Sequence, residues 1–253
     1  MANRIHSTAI DVTRTFPSLP NAPIVEAVIE WRADPTTHLD AEDLERRLAS
    51  RFQNYDLAPI HDIEATLGGT EVNAEATRRS KHLGFRLTSP NRRVICQFRL
   101  NMVAVSRLAP YEGWESFFAE AKSFSEAFSE WCRPAGYSRL GVRSISKISL
   151  AADKKASSVT AGITNPWRDF GIESSSFFHQ DTTSWPDSPY IVRLVRAMDV
   201  SAENSARTMY LDIDVSLPDP VELPDADSRL VDMRFLKNLV FFSILRDAEK
   251  RFR

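Results

Sequence analysis

The chain has 253 residues, of which 43% are hydrophobic and 26% are charged, with a formal net charge of -2. This composition is typical of a globular protein with a sizeable core, and the charge argues against a dedicated nucleic-acid binder. The two cysteines have no metal-ligand spacing, and no apolar run is long enough to span a bilayer. We therefore expect a cytoplasmic protein without a membrane partner.

The first half of the chain predicts an arm, a strand, a helix, several strands and a second helix. Residues 1–20 predict a loose arm that ends in a proline-rich segment. The strand over 21–32 alternates apolar and charged residues, and a helix follows over 40–55. A strong amphipathic helix is predicted over 110–131. Between the two helices, strands are predicted over 60–67, 81–87, 94–100 and 102–105, with a polar loop over 71–81.

The second half loosely repeats this order. It predicts strands over 139–150, 177–180, 190–200 and 207–215, an irregular piece over 153–170 and a final helix over 228–251. We therefore expect an α+β fold, an antiparallel sheet with long helices on one face. The expected organisation is an N-terminal arm (1–20) followed by two topologically similar halves (21–135 and 136–253). Together the halves would form a pseudo-repeat like that of the TATA-binding protein.

Three segments resemble the motifs of one bacterial family. They are Asn-Ala-Pro-Ile-Val-Glu-Ala-Val at 21–28, Leu-Ala-Pro-Tyr-Glu-Gly-Trp-Glu at 108–115 and Arg-Leu-Gly-Val-Arg-Ser-Ile-Ser-Lys-Ile at 139–148. In order and spacing they are similar to a sporadically distributed family of bacterial proteins whose function is uncharacterised. Ser144 stands where that family usually has tyrosine, and Ser146 where it often has asparagine. The resemblance implies an accessory gene, such as one in a defence or toxin–antitoxin locus, and assigns no catalytic residue.

Two distant strands carry opposite charges. The first strand places two acids on one face, and the strand over 139–150 places three bases on one face. Opposite charges on neighbouring strands favour pairing, so we expect Glu26 to pair with Arg139 or Arg143. The candidate charged face consists of Glu26, Glu30, Arg139, Arg143 and Lys147.

A second cluster is basic and lies in the first group of strands. Basic side chains in one region can bind phosphate groups. Phe85 and Phe98 alternate toward the other side of their strands, so the base-stacking pattern of an RNA-binding sheet is missing. Nucleic-acid or nucleotide binding is therefore the alternative function. The candidate basic patch consists of Arg78, Arg79, Lys81, Arg86, Arg92, Arg93 and Arg99.

The final helix is apolar around much of its circumference. Such a helix packs between layers or against another subunit. We therefore expect a protein partner or a homo-oligomer. The candidate interface consists of Phe235, Phe241, Phe242 and Leu245.

Catalytic motifs are missing from the sequence. It contains no GxSxG, no phosphate-binding glycine loop and no HExxH, and its five histidines are scattered. Asp212 and Asp214 lie on the same face of one predicted strand, roughly 7 Å apart at about 3.3 Å per residue. The third hypothesis is a metal-dependent hydrolase that uses these two carboxylates. The leading hypothesis is a non-enzymatic binding or regulatory protein with no cofactor, no metal site and no catalytic activity of its own.

Overall fold

A computed structural model describes residues 14–34, 40–68, 75–151, 155–172, 174–200 and 207–253. Within these residues one antiparallel sheet dominates the fold, and its strands lie in the order β2-β3-β4-β5-β1-β6-β9-β8-β7. The strands are β1 (Ile24–Arg32), β2 (Asp56–Gly68), β3 (Glu75–Thr88), β4 (Val94–Arg99), β5 (Met102–Leu108), β6 (Arg139–Leu150), β7 (Phe177–Ser184), β8 (Ile191–Val200) and β9 (Arg207–Leu217).

The helices are α1 (Ala41–Arg51), α2 (Trp114–Cys132), α3 (Ala226–Ile244) and α4 (Ala248–Arg251), with short 3₁₀ turns at Ala156–Ser158, Arg168–Phe170 and Leu223–Asp225. Asp40 caps the start of α1, and its carboxylate accepts hydrogen bonds from the N–H groups of Glu42 at 2.7 Å and Asp43 at 3.0 Å. These bonds satisfy donors that the helix itself leaves unpaired. In the described part of the chain, every helix is too short or too polar to cross a membrane.

The core lies between the helices and one face of the sheet. Helix α2 contacts β1 and β5, α3 contacts β6 and β9, and α1 contacts β3. Buried side chains line up across the strands on this side: Ile29 lies opposite Val105 on one neighbour and Val142 on the other. Because side chains alternate along a strand, Glu30 and Arg143 project from the opposite side. We call the side away from the helices the open face.

The structure confirms the predicted α+β class and antiparallel sheet. The largest difference in the first half concerns the polar residues 71–81, which were predicted to form a loop. Strand β3 begins at Glu75, so it includes much of this segment, and it pairs with β2 along most of its length. Residues 69–74 lie outside the described residues. Sheet pairing with a neighbouring strand overrides a polar local sequence, since strand preference depends strongly on context.

The final helix is shorter than the predicted 228–251. Helix α3 ends at Ile244, and Leu245 takes an extended conformation to form a β-bridge with Thr160. The N–H of Ala161 donates to the Ile244 carbonyl at 2.8 Å. The irregular segment before β7 therefore provides partners for the end of α3, and α4 follows as a separate turn.

The described part of the predicted arm packs on α3. The ring of Phe16 lies 5.3 Å from that of Phe235 and 5.4 Å from that of Phe242, with the second pair stacked. Leu19 also packs against the core. Residues 1–13 lie outside the described residues. The segment that follows them covers apolar surface on α3.

Candidate functional site

The centre of the open face is an ion-pair network on β1, β6, β8 and β9. Its side chains come from strands far apart in sequence, because β6 lies between β1 and β9 in the sheet. Arginines and carboxylates alternate across these strands. The network comprises Glu30, Arg139, Arg143, Arg193, Asp212 and Asp214.

Arg143 and Asp212 form a bidentate pair within the network. Arg143 Nε donates to Asp212 Oδ1 at 2.8 Å, and its Nη2 donates to Asp212 Oδ2 at 2.6 Å. Such two-bond pairing fixes the plane of the guanidinium as well as its position. The hydrogen bonds to Asp212 raise the pKa of Arg143, and the charges of Asp214 and Glu26 raise it further, against an opposing effect of burial.

Asp214 lies among three arginines. Its Oδ2 is 3.8 Å from Arg139 Nη2 and 3.4 Å from Arg193 Nη2. Burial raises the pKa of Asp214, and the charges of Arg139, Arg193 and Arg143 act in the opposite direction. The oxygens of Asp212 and Asp214 that the hydrolase hypothesis assigns to a metal ion are thus used by guanidinium groups. No group of three or more metal-ligating side chains occurs within the described residues.

Glu26 was predicted to pair with Arg139 or Arg143, but the carboxylate on β1 that pairs with Arg139 is that of Glu30. Glycine at position 141 leaves room for this contact, since a Cβ there would lie 3.2 Å from Arg139 Nη1 and 3.7 Å from Glu30 Cβ. Glu26 lies opposite Ile145 and contributes its charge to the environment of Arg143. Lys147 is exposed further along β6. The strand pairing therefore places the candidate charged residues on one face of the sheet. The ion pairs that form there are Arg139 with Glu30 and Arg143 with Asp212.

The candidate basic patch is divided by the sheet. Arg86 lies opposite Gln97, and Arg99 donates to the same Gln97 side chain at 3.3 Å, so both belong to the open face. Arg92 and Arg93 lie in the turn before β4, about 20 Å from Arg99 at roughly 3.3 Å per residue.

Of the remaining members of the patch, Lys81 is exposed on β3. The side chains of Arg78 and Arg79 lie outside the described residues. Arg93 is held by Glu112 at 3.5 Å. Arg92 and Arg93 lie in the turn between β3 and β4, away from Arg86 and Arg99 on the open face. The described members of the candidate basic patch therefore do not form one surface.

Two exposed aromatic residues lie on the open face at its other end. Phe178 on β7 is 68% exposed and Tyr210 on β9 is 37% exposed. The register places Ala197 between them and Lys147 beyond Tyr210 in one row across four strands. The two rings are therefore two strands apart, or about 10 Å. The sequence indicated that Tyr210 points outward, but the row depends on pairing that only the structure gives.

The candidate interface is partly core and partly covered. Phe241 and Leu245 are buried within the chain, whereas Phe235 and Phe242 are half-buried. The ring of Phe16 covers the latter two. The apolar circumference of the final helix is thus explained in large part by contacts within this chain.

A cavity of about 550 Å³ opens beside α3, between that helix, the start of α2 and the segment 16–24. Lys237 lines it and is only 8% exposed. Sequence reasoning missed this residue. Its spacing of four from Met233 predicts the buried side of the helix, and a lysine in such a position is an unusual feature.

Comparison with known proteins gives no relative from which a function can be transferred. No family model matches the chain, no curated protein matches it, and no solved structure matches its fold.

Proposed function

We propose that the protein is a non-enzymatic binding protein that presents the ion-pair network of its open face to an acidic surface of a partner protein. One observation carries the proposal. The side chains of Arg143 and Arg193 are 37% and 39% exposed, whereas those of their partners Asp212 and Asp214 are 13% and 15% exposed. The guanidinium groups are therefore more accessible to a partner than the carboxylates are.

The energetics favour recognition through these arginines. Their carboxylate partners hold them in place on paired strands, so less side-chain freedom is lost when a partner binds. Arginine and tyrosine are enriched at the centres of protein interfaces. Arg86, Arg99 and Lys147 add positive charge to the same face. An acidic partner surface complements this distribution.

The strand order supports a finer proposal about architecture. β1 and β6 are adjacent at the centre, β5 and β9 flank them, and β4 and β8 follow. In each half the first strand pairs with the last. We include in the proposal that the halves 21–135 and 136–253 form a TATA-binding-protein-like pseudo-repeat, which would give the open face two related ends.

The resemblance of three segments to a sporadically distributed bacterial family adds a proposal about context. We therefore place the acidic partner among the products of neighbouring genes, as in a defence or toxin–antitoxin locus. Tagged full-length protein should then co-purify with one such product.

Single-stranded nucleic acid is the second candidate ligand, and one observation favours it. Phe178 and Tyr210 offer two ring faces beside Lys147, and stacking on aromatic rings with nearby positive charge is the usual mode of single-strand binding. Binding of a single-stranded RNA probe that falls steeply with salt and is lost in Tyr210→Ala would select this candidate.

The decisive variant exchanges the two charges of the bidentate Arg143–Asp212 pair. Arg143→Asp combined with Asp212→Arg keeps an ion pair on the same two strands but reverses which strand carries each charge. We expect a normal fold by circular dichroism and at least about a tenfold loss of partner affinity, equal to about 1.4 kcal/mol. Lys250→Glu, a charge change at an exposed position on α4, is the control and should bind normally.

Two results would contradict the proposal. Unchanged partner affinity in the exchanged variant would show that the network is not the contact surface. Metal-dependent cleavage of RNA, DNA or nucleotides by the wild type, lost in Asp212→Asn, would replace a binding function by hydrolysis.

A further inference from the structure

The cavity beside α3 has the size of a small-molecule site. Its volume of about 550 Å³ lies within the roughly 300–1,000 Å³ that is usual for such sites. Three parts of the chain provide most of its lining: the segment 16–24, the residues from Pro110 to Glu115, and one side of α3. Ser144 of β6 contributes from the helix-covered face of the sheet, so the cavity is separate from the open face.

Lys237 is the unusual residue of this cavity. It is nine-tenths buried, and among the described residues no carboxylate forms an ion pair with it. The two acids that line the same cavity have other partners, since Glu115 pairs with Arg234 at 3.1 Å and Glu112 pairs with Arg107 at 3.5 Å. A buried cation without a counter-charge is unfavourable, and a bound anion would remove that penalty.

The start of α2 provides a second source of positive potential. Gly113 is its N-cap residue, with φ at 120°, and it has no side chain with which to cap the helix. The first N–H groups of a helix have no acceptor within the helix, and its dipole is positive at this end. Gly113, Trp114 and Glu115 all line the cavity. The start of α2 and Lys237 therefore both contribute positive electrostatic potential to this cavity.

The remaining walls combine apolar side chains with polar ones. Aromatic and aliphatic side chains form one part of the lining, and the amide of Asn238 and the hydroxyl of Ser144 are among its uncharged polar groups. This combination is typical of sites that bind a ligand with one charged end and an apolar body. The apolar lining consists of Phe16, Leu19, Ile24, Trp114, Phe241 and Phe242.

We propose that this cavity binds a small organic monoanion, a carboxylate on an apolar body, with Lys237 as its counter-ion. The carboxylate lies between Lys237 and the first turn of α2, and the apolar body lies against the aromatic wall. A single negative charge fits because Arg234 is already neutralised by Glu115. The site requires no chemical step, and it is independent of the partner surface on the open face.

The test uses two probes with the same body, 4-phenylbutyrate and 4-phenylbutanol, and full-length protein. Isothermal titration calorimetry at pH 7 should show the carboxylate binding at least tenfold more tightly than the alcohol. Lys237→Met should lose this preference while still binding both probes weakly. Lys250→Met removes an exposed lysine from α4 and should behave like the wild type. Asn238→Trp fills the cavity without removing the charge and should abolish binding of both probes.

A pH series provides a test that needs no variant. Burial and the nearby Arg234 lower the pKa of Lys237 to about 8. The other charged groups facing it are Glu112 and Glu115 from the start of α2, and burial raises the pKa of Tyr111 to about 12. Affinity for 4-phenylbutyrate should therefore fall more than tenfold between about pH 7 and pH 9.5, as Lys237 loses its proton.

Three results would overturn the proposal. The first is failure of the wild type to bind 4-phenylbutyrate at millimolar concentration. The second is equal affinity for the acid and the alcohol. The third is a preference for the acid that persists in Lys237→Met or at the high end of the pH series. If Lys237→Met does not fold, the pH series and Asn238→Trp decide.

Discussion

Replacing Lys237 with methionine should stabilise the ligand-free protein at neutral pH. Burial lowers the pKa of this lysine from 10.5 to about 8. Since a tenfold change in proton affinity corresponds to about 1.4 kcal/mol, keeping the lysine charged inside the fold costs on the order of 3 kcal/mol. Methionine has a similar length and no charge, so the variant should recover a large part of that penalty.

The gain should depend on pH in a defined direction. Between about pH 8 and pH 10.5 the unfolded state holds the lysine proton more tightly than the folded state does. Wild-type stability contributed by this group therefore rises with pH across that window, and the advantage of methionine shrinks. Below about pH 8 the lysine is protonated in both states, and the advantage is at its full size.

Urea unfolding followed by tryptophan fluorescence at pH 7 and at about pH 10 measures both effects. Lys250→Met, at an exposed position, controls for loss of a lysine in general. A Lys237→Met protein that is less stable than the wild type at pH 7 would refute the reasoning. So would a gain of equal size at both pH values, because it would then not arise from the buried charge.

Three further predictions concern the ion-pair network and the final helix. Arg143→Leu and Asp212→Leu should show a coupling free energy of about 1 kcal/mol in a double-mutant cycle, because partial exposure of the arginine weakens the pair. Additive effects of the two substitutions on the free energy of unfolding would contradict the pairing. Phe16→Ala removes two ring contacts and should lower the free energy of unfolding by about 1–2 kcal/mol, whereas an unchanged urea midpoint would show that the segment does not stabilise α3. Phe241→Glu should unfold the chain because its site is buried, while Phe235→Glu at a half-buried site should leave a folded protein whose mass by light scattering tests self-association.

The alternation of the first strand was enough to predict its two faces. Ala27, Ile29 and Trp31 are buried, and the acids lie on the other side, as the period of two requires. The exact ion pairs could not be predicted in the same way. The register between β1 and β6 shifts between Ile24 and Glu26, and such a local irregularity is not visible in the sequence.

The cavity could not be predicted from the sequence for a different reason. The helical period places Lys237 on the buried side of α3, beside Met233 and Leu236. What surrounds it comes from the segment 16–24 and the start of α2, more than a hundred residues earlier in the chain. Periodicity predicts which side of a helix is covered, but it does not predict what covers it.

The pairing of β1 with β6 has a consequence for synthesis of the chain. All strands on one side of this pairing come from residues 24–108, and all strands on the other side come from 139–217. During synthesis on the ribosome, the edge of β1 that pairs with β6 therefore stays unpaired until residues 139–150 emerge. Unpaired strand edges with apolar side chains promote association between nascent chains. A truncated chain ending at residue 135 should therefore aggregate when produced alone and remain dispersed when 136–253 is produced beside it.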